Sequence, residues 1–248
     1  MPPLNDAHYD FRGIRALITG AGSGIGQETA RCFVSRNATV IATDIDREGL
    51  TKLKAATQYL NGDLEVSVGD LTDPVFVSRL LETAGEVDLL VNCAGWVKHK
   101  PFFDSDPADW EKVYAINVLA LLRLTQGVAR GMCARRRGHI INISSILARR
   151  VYPYTLAYAG TKHAVRAISD GLRIELQEMG VKVTEIAPGL TETNIFRDID
   201  DPRVQQTYAK FSFPKLQPSE VARAIMFAVA APPESCPEVI SVNPVGQA

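Results

Sequence analysis

The sequence predicts an α/β fold: a doubly wound parallel sheet of about seven strands with helices on both faces, built by residues 1–248 as one domain. Three observations carry this expectation. Seven short β-rich runs alternate with stretches of helical periodicity, which implies right-handed crossovers. Hydrophobic residues make up 46% of the chain and charged residues 22%, the balance of an ordinary globular protein. A glycine cluster separates the first β-rich run from the first helical stretch.

In chain order, residues 14–19 read as a strand, and residues 24–36 as a helix in which Ile25, Ala30, Phe33 and Val34 recur with helical spacing. Strands follow at 38–43, 64–69 and 87–91, alternating with helices at 47–60 and 74–84. Pro74 sits in the first helical turn, with Asp73 before it as N-cap. The second half predicts a long helix over 107–135, a strand over 139–143, a helix over 156–179 and a strand over 181–186. After Pro188-Gly189 the periodicity lapses until Pro218 opens another helix, and residues 239–242 supply the last strand. Residues 190–217 are the longest piece without clear periodicity. They carry Phe196, Tyr208, Phe211 and Phe213, so a substrate-binding loop within the domain is expected there. Residues 1–12 read as an N-terminal tail.

Composition excludes several function classes. Lys and Arg number 27 and Asp and Glu 28, a net charge of -1, without the basic excess that nucleic acid binding needs. The densest basic run, Arg135 to Arg137, closes a helical pattern, where cations favour the helix dipole. The four cysteines Cys32, Cys93, Cys133 and Cys236 form no CxxC pair and no Cys/His cluster, so reduced thiols and no metal are expected. The opening MPPLNDAHYDF has neither a basic n-region nor an apolar h-region, and no apolar run approaches the ~18 residues of a membrane span. A cytoplasmic protein with no membrane partner is the expectation.

The first strand runs into Thr19-Gly20-Ala21-Gly22-Ser23-Gly24-Ile25-Gly26, and a helix starts inside that segment. Glycines there allow a tight turn and bring backbone N–H groups to a pyrophosphate, which the positive end of the helix attracts. Asp44 follows the second strand, where dinucleotide-binding folds of the Rossmann type put an acid on the adenosine ribose; a solvated loop aspartate is the plain alternative. Asp70-Leu71 ends the third strand beside the expected adenine pocket.

Tyr158 and Lys162 are four apart in a helical segment and share one face. Ser144-Ser145 closes a strand upstream, Asn117 lies in the preceding long helix, and Asn92-Cys93-Ala94-Gly95 ends the fourth strand. Singly, each has a structural reading: a surface pair, a strand-end hydroxyl, a buried helix asparagine. Their coincidence carries the functional one.

This set resembles the short-chain dehydrogenase/reductase family from Gly13 to about Val242. The family's Thr-Gly-x-x-x-Gly-x-Gly is met at Thr19 to Gly26, its Tyr-x-x-x-Lys at Tyr158 and Lys162, its serine best at Ser145, its helix asparagine at Asn117, and its Pro-Gly with a following threonine at Pro188, Gly189 and Thr193. Cys93 stands where the family usually has a second asparagine, which puts one strand-stabilising hydrogen bond in doubt. The resemblance implies a hydride-transferring oxidoreductase with Asn117, Ser145, Tyr158 and Lys162 as catalytic residues and a homotetramer or homodimer as the assembly. It implies NAD bound by Gly20, Ser23, Gly24, Ile25, Gly26, Asp44, Asp70, Leu71, Asn92, Ala94, Gly95, Tyr158, Lys162, Pro188, Gly189, Thr191 and Thr193.

Arg149, Tyr152-Pro153 and the ending Asn243-Pro244 to Gln247 look like the branch that oxidises short 3-hydroxy acids, a branch that often prefers NADP, in conflict with Asp44. Trp96, Leu147, Arg149, Tyr152, Tyr154, Phe196 and Phe211 are the expected substrate contacts, with Arg149 available to an anionic group. His8, His99, His139 and His163 have no motif tying them to the chemistry.

A phenol with an ordinary pKa of about 10 is a poor base, so Lys162 and the oxidised nicotinamide are expected to draw Tyr158 toward working pH, Ser145 to hold the substrate oxygen, and Asn117 to orient a water relaying protons to Lys162. The competing readings are a catalytically inactive dinucleotide-binding sensor or scaffold, disfavoured by the complete residue set, and a sugar-nucleotide epimerase or dehydratase, which usually needs a longer substrate domain after Pro188.

Overall fold

A computed structural model describes residues 9–197 and 199–247. Strands β1 (Arg15–Thr19), β2 (Thr39–Asp44), β3 (Asp63–Val68), β4 (Leu89–Asn92), β5 (Gly138–Ile143), β6 (Val181–Pro188) and β7 (Val239–Val242) form a parallel sheet in the order β3-β2-β1-β4-β5-β6-β7. The chain winds outward from β1 to β3 and then returns to the other side of β1, so the order reverses between β1 and β4. At such a reversal the flanking connections leave in opposite directions and a crevice opens at the carboxyl ends of the strands.

Helices α1 (Gly24–Val34), α2 (Arg47–Thr57), α3 (Pro74–Ala84), α4 (Pro107–Tyr114), α5 (Leu121–Arg135), α6 (Leu156–Leu176), α7 (Pro202–Ala209) and α8 (Pro218–Val229) complete the described chain. Side chains alternate across the central strands, so neighbouring residues feed two cores. Ile18 and Ile141 meet Phe33, Leu50 and Ile225 of α1, α2 and α8. Leu17 and Ile140 meet Phe76, Leu80, Leu124 and Met132 of α3 and α5 on the opposite face. Asp46, Asp73, Asp106 and Asp201 cap α2, α3, α4 and α7 through their carboxylates, and proline follows the last three of them in the first helical turn.

Four expectations change. The helix expected over 107–135 is interrupted: α4 passes into a π-helical segment, Ala115–Ala120, before α5. Asn117 lies in that wider turn, and such turns recur at functional sites. The helix expected to run to Met179 ends at Leu176 in a 3-10 turn, Gln177–Met179. Residues 190–217 are not structureless: they hold a 3-10 turn, Asn194–Phe196, the helix α7, and a parallel bridge between Thr191 and Leu216. Of the expected tail, residues 1–8 lie outside the described residues. Phe11, in contrast, is buried, stacks on Phe33 at 4.5 Å and donates its N–H to the Arg36 carbonyl at 2.8 Å, so residues 9–12 belong to the fold.

The polar side chains near the carboxyl ends of β4 and β5 are paired with one another. Asn92 donates to Thr125 Oγ1 and Asn142 Oδ1, each at 2.9 Å, and Asn142 donates to Ser169 Oγ at 3.0 Å. This buried chain ties two strands to α5 and α6. The Asn92 side chain is thereby committed to the interior.

Candidate active site

The first wall of the crevice is the turn from β1 into α1. Gly20 has a φ of +67°, and a Cβ there would stand 2.8 Å from the Ala94 nitrogen. A Cβ on Gly26 would stand 2.2 Å from the Gly20 carbonyl oxygen. Only glycine lets α1 start this close to the strand. Thr19 holds the opposite lip, its hydroxyl accepting the N–H groups of Cys93 and Ala94 at 3.0 Å each. No acidic side chain occupies the first turn of α1, and the Ser23 hydroxyl makes no capping bond. Both features suit an anion such as a pyrophosphate.

Asp44, at the end of β2, accepts the Gly22 N–H at 2.8 Å and the Asp46 N–H at 2.9 Å. These bonds fix the half-buried carboxylate against the glycine turn and leave lone pairs for ribose hydroxyls. Asp70 is exposed and accepts both the N–H and the hydroxyl of Thr72 at 2.8 Å, while Leu71 packs against the core cluster that holds Phe76 and Leu80. Ile25, Gly95, Pro188, Gly189, Thr191 and Thr193 line the same cavity as Tyr158 and Lys162.

The second wall is the end of β5 facing α6. Tyr158 and Lys162 are one helical turn apart and nearly without exposure, at 8% and 5%. Lys162 Nζ donates to the Ile143 carbonyl at 2.8 Å. Ser145, just past the end of β5, accepts the Leu147 N–H through its hydroxyl at 3.1 Å and lines the same cavity as Tyr158.

Burial governs the protonation here. It raises the Tyr158 pKa above the ordinary phenol value, Cys93 adds to the rise, and the Ser145 hydroxyl opposes it. It pushes the Lys162 ammonium down to about 8. From the protein's own groups, burial dominates and Tyr158 holds its proton at neutral pH. Cys93, between Tyr158 and the glycine turn, is likewise pushed up by burial to about 12 and stays a thiol.

Asn117 is 2% exposed, and its amide accepts the Trp96 N–H at 2.8 Å and donates to the Trp96 carbonyl at 3.0 Å and Thr161 Oγ1 at 3.2 Å. Its side chain thus clamps the loop after β4 to α6.

Of the expected substrate contacts, Leu147, Tyr152, Phe196 and Phe211 line the cavity and Trp96, Arg149 and Tyr154 do not. Trp96 lies 4.3 Å below the Lys112 ammonium. Arg149 makes a bidentate pair with Glu185 at 2.8 and 2.6 Å, and Glu185, with no exposure, also accepts the Ser144 hydroxyl. A buried carboxylate thus engages the Arg149 guanidinium through both of its oxygens. Tyr208, carried by the expected substrate-binding loop, and Gln247 join the lining, and His99, which no motif ties to the site, stacks behind Tyr208 at 5.8 Å. Only Asp201-Pro202, the same cap seen before α3 and α4, marked the helix that delivers Tyr208.

A family model described as short chain dehydrogenase matches residues 15–203. The chain is 31% identical over 238 residues to an uncharacterized oxidoreductase of Staphylococcus saprophyticus, covering 93% of this chain and 96% of that protein. An uncharacterized oxidoreductase of Staphylococcus aureus is 31% identical over 234 residues at the same coverages, 93% and 96%. Among solved structures, the closed form of serine dehydrogenase complexed with NADP+ superposes with a TM-score of 0.82 at 30% identity, over 94% of this chain and 96% of that one. A 7α-hydroxysteroid dehydrogenase complexed with NADH and 7-oxo glycochenodeoxycholic acid gives 0.84 at 30% identity over 94% of each chain.

The Arg149–Glu185 pair makes a stability prediction. Arg149→Met strands a buried carboxylate and should cost about 3 kcal/mol, the low end for breaking a buried pair. Adding Glu185→Gln should recover most of that loss in urea denaturation. A single variant as stable as the parent, with a changed Michaelis constant only, would return Arg149 to the substrate.

Proposed function

The chain belongs to the short chain dehydrogenase family, and on that premise we propose that it is an NAD-dependent alcohol dehydrogenase or ketone reductase in which Tyr158 is the general acid and base. The observation that carries the proposal is the joint burial of Tyr158 and Lys162 beside Ser145 at the edge of β5. A bound nicotinamide dinucleotide supplies the hydride acceptor for oxidation and, when reduced, the hydride donor for reduction. Gly20 to Gly26 would hold its pyrophosphate and Asp44 its adenosine ribose.

In reduction, the protonated Tyr158 gives its phenolic proton to the substrate oxygen as negative charge develops there. Ser145 donates a hydrogen bond to the same oxygen and keeps it beside Tyr158. In oxidation Tyr158 must first ionise; the Lys162 ammonium, together with the charge of oxidised nicotinamide, offsets the desolvation that holds its proton. The aliphatic and aromatic wall of Ile146, Leu147, Tyr152, Phe196 and Phe211 suits an alcohol or ketone with a hydrophobic body. With Arg149 engaged by Glu185, the short hydroxy acid reading loses its anion-binding residue.

Preference for NAD rests on Asp44, whose carboxylate accepts ribose hydroxyls and repels a 2′-phosphate. Assembly as a homotetramer or homodimer is supported by Leu119 and Leu122, which are 47% and 38% exposed on one helical surface. The four described cysteines are free, in keeping with a cytoplasmic location.

Tyr158→Phe should lower kcat by about 10²-fold or more while cofactor binding is retained. A residual rate above about a tenth of the parent's excludes the acid/base role. Asp44→Ala should lower kcat/KM with NAD and narrow its lead over NADP. A parent enzyme that already works better with NADP contradicts the assignment of Asp44.

A further inference from the structure

Most polar groups on the outer part of the cavity are already engaged. Thr155 donates its hydroxyl to the Tyr152 carbonyl at 2.8 Å, Thr191 to Gly189 at 3.0 Å and Thr207 to Arg203 at 3.0 Å. The side-chain oxygen of Gln247 takes the Leu190 N–H at 2.8 Å. Tyr208 differs: its phenolic oxygen lies 2.7 Å from Nδ1 of His99.

His99 has no exposure and sits among rings, edge-on to Tyr158 at 5.7 Å, 6.1 Å from Phe196 and stacked on Tyr208 at 5.8 Å. Its Nε2 has no partner among the described residues. A proton on Nε2 would orphan a buried N–H donor and commit the Tyr208 proton to Nδ1. A proton on Nδ1 leaves a bare lone pair at Nε2, makes Tyr208 the acceptor and frees its phenolic proton. Orphaned buried N–H groups are the rarer of the two, which favours the second tautomer. Burial keeps both partners neutral, pushing His99 down to about 4 and the Tyr208 pKa upward, with the neighbouring Tyr158 adding to that rise.

We propose that His99 turns the Tyr208 hydroxyl into the cavity as a hydrogen-bond donor for a second, uncharged oxygen of the substrate, a carbonyl or hydroxyl carried close to the reacting carbon. This deepens the ketone-reductase reading and rests on it. The oxygen is uncharged because the cavity offers a carboxylate no free counter-charge: among the described lining residues Lys162 is the cation, and its ammonium is committed to Ile143. Tyr208 sets specificity by contact; His99 acts through it as a positioning residue.

The test compares kcat/KM for ethyl acetoacetate, which carries the second oxygen, with 2-heptanone, a ketone of similar length that lacks it. Tyr208→Phe should cost the keto ester about tenfold more than 2-heptanone, the size of one neutral hydrogen bond. His99→Leu should reproduce that differential loss, and His99→Asn, which keeps an N–H near the Nδ1 position, should restore most of it. The parent should also use the ester better than free acetoacetate. Equal losses on both ketones in Tyr208→Phe, with melting temperature retained, overturn the Tyr208 assignment and leave the ketone-reductase reading standing. Equal losses in His99→Leu and His99→Asn overturn the positioning role. Turnover of none of the three compounds by the parent overturns the ketone-reductase reading together with this one.

Discussion

Lys162 is an amine with almost no contact with water, hung from a single strand carbonyl. Desolvating a cation and a phenol side by side is costly, and the surrounding architecture makes it tolerable. The Ile143 carbonyl is free to accept Lys162 because β5 ends there. One turn of α6 then carries Tyr158 and Lys162 to the same edge, and Thr161 between them donates to the Tyr158 carbonyl at 2.7 Å while accepting from Asn117. Asn117 reaches on to both backbone groups of Trp96. Strand end, helix, π-helical turn and the loop after β4 therefore meet at one place, and none can shift without moving the phenol.

The sheet supplies the other half of the geometry. Because β1 lies between β2 and β4, the glycine turn that follows it faces Asp44 on one side and the Cys93-Ala94 backbone on the other. Gly49 extends that logic into α2, where a Cβ would stand 2.1 Å from the Gly22 carbonyl oxygen. The capped start of α2 is thus packed directly onto the turn. A dinucleotide site of this kind is a property of close backbone approach, with side chains adding selectivity at its edges.

Much of this was legible in the sequence because it depends on local rules. Strands such as RALIT and LLVN are nearly continuous apolar runs, as burial on both faces requires, and the Thr19 to Gly26 segment carries its turn in its glycines. What escaped reading depends on contacts between distant residues. Nothing near Arg149, in the loop after β5, announces that Glu185 on β6 will capture it. Asn92 looks like a strand-end ligand until Thr125 and Asn142 are seen beside it. His99 has no periodic neighbours, and only the folded chain brings α7 over it. α7 itself buries just Val204 fully, too little apolar pattern to stand out within residues 190–217. The π-helical turn has no sequence period of its own and is disguised as continuous helix.

The central claim is that Tyr158 is kept protonated by burial and is released only when positive charge is added beside it. It is tested most directly by carbon NMR of the protein labelled at tyrosine Cζ, titrated with and without NAD+, with Tyr158→Phe assigning the resonance. The account predicts no phenolate at Tyr158 through the neutral and mildly alkaline range in the protein alone, and a titration shifted to lower pH when NAD+ is bound. A Tyr158 signal that titrates near neutrality in the protein alone, or is unmoved by NAD+, would contradict it.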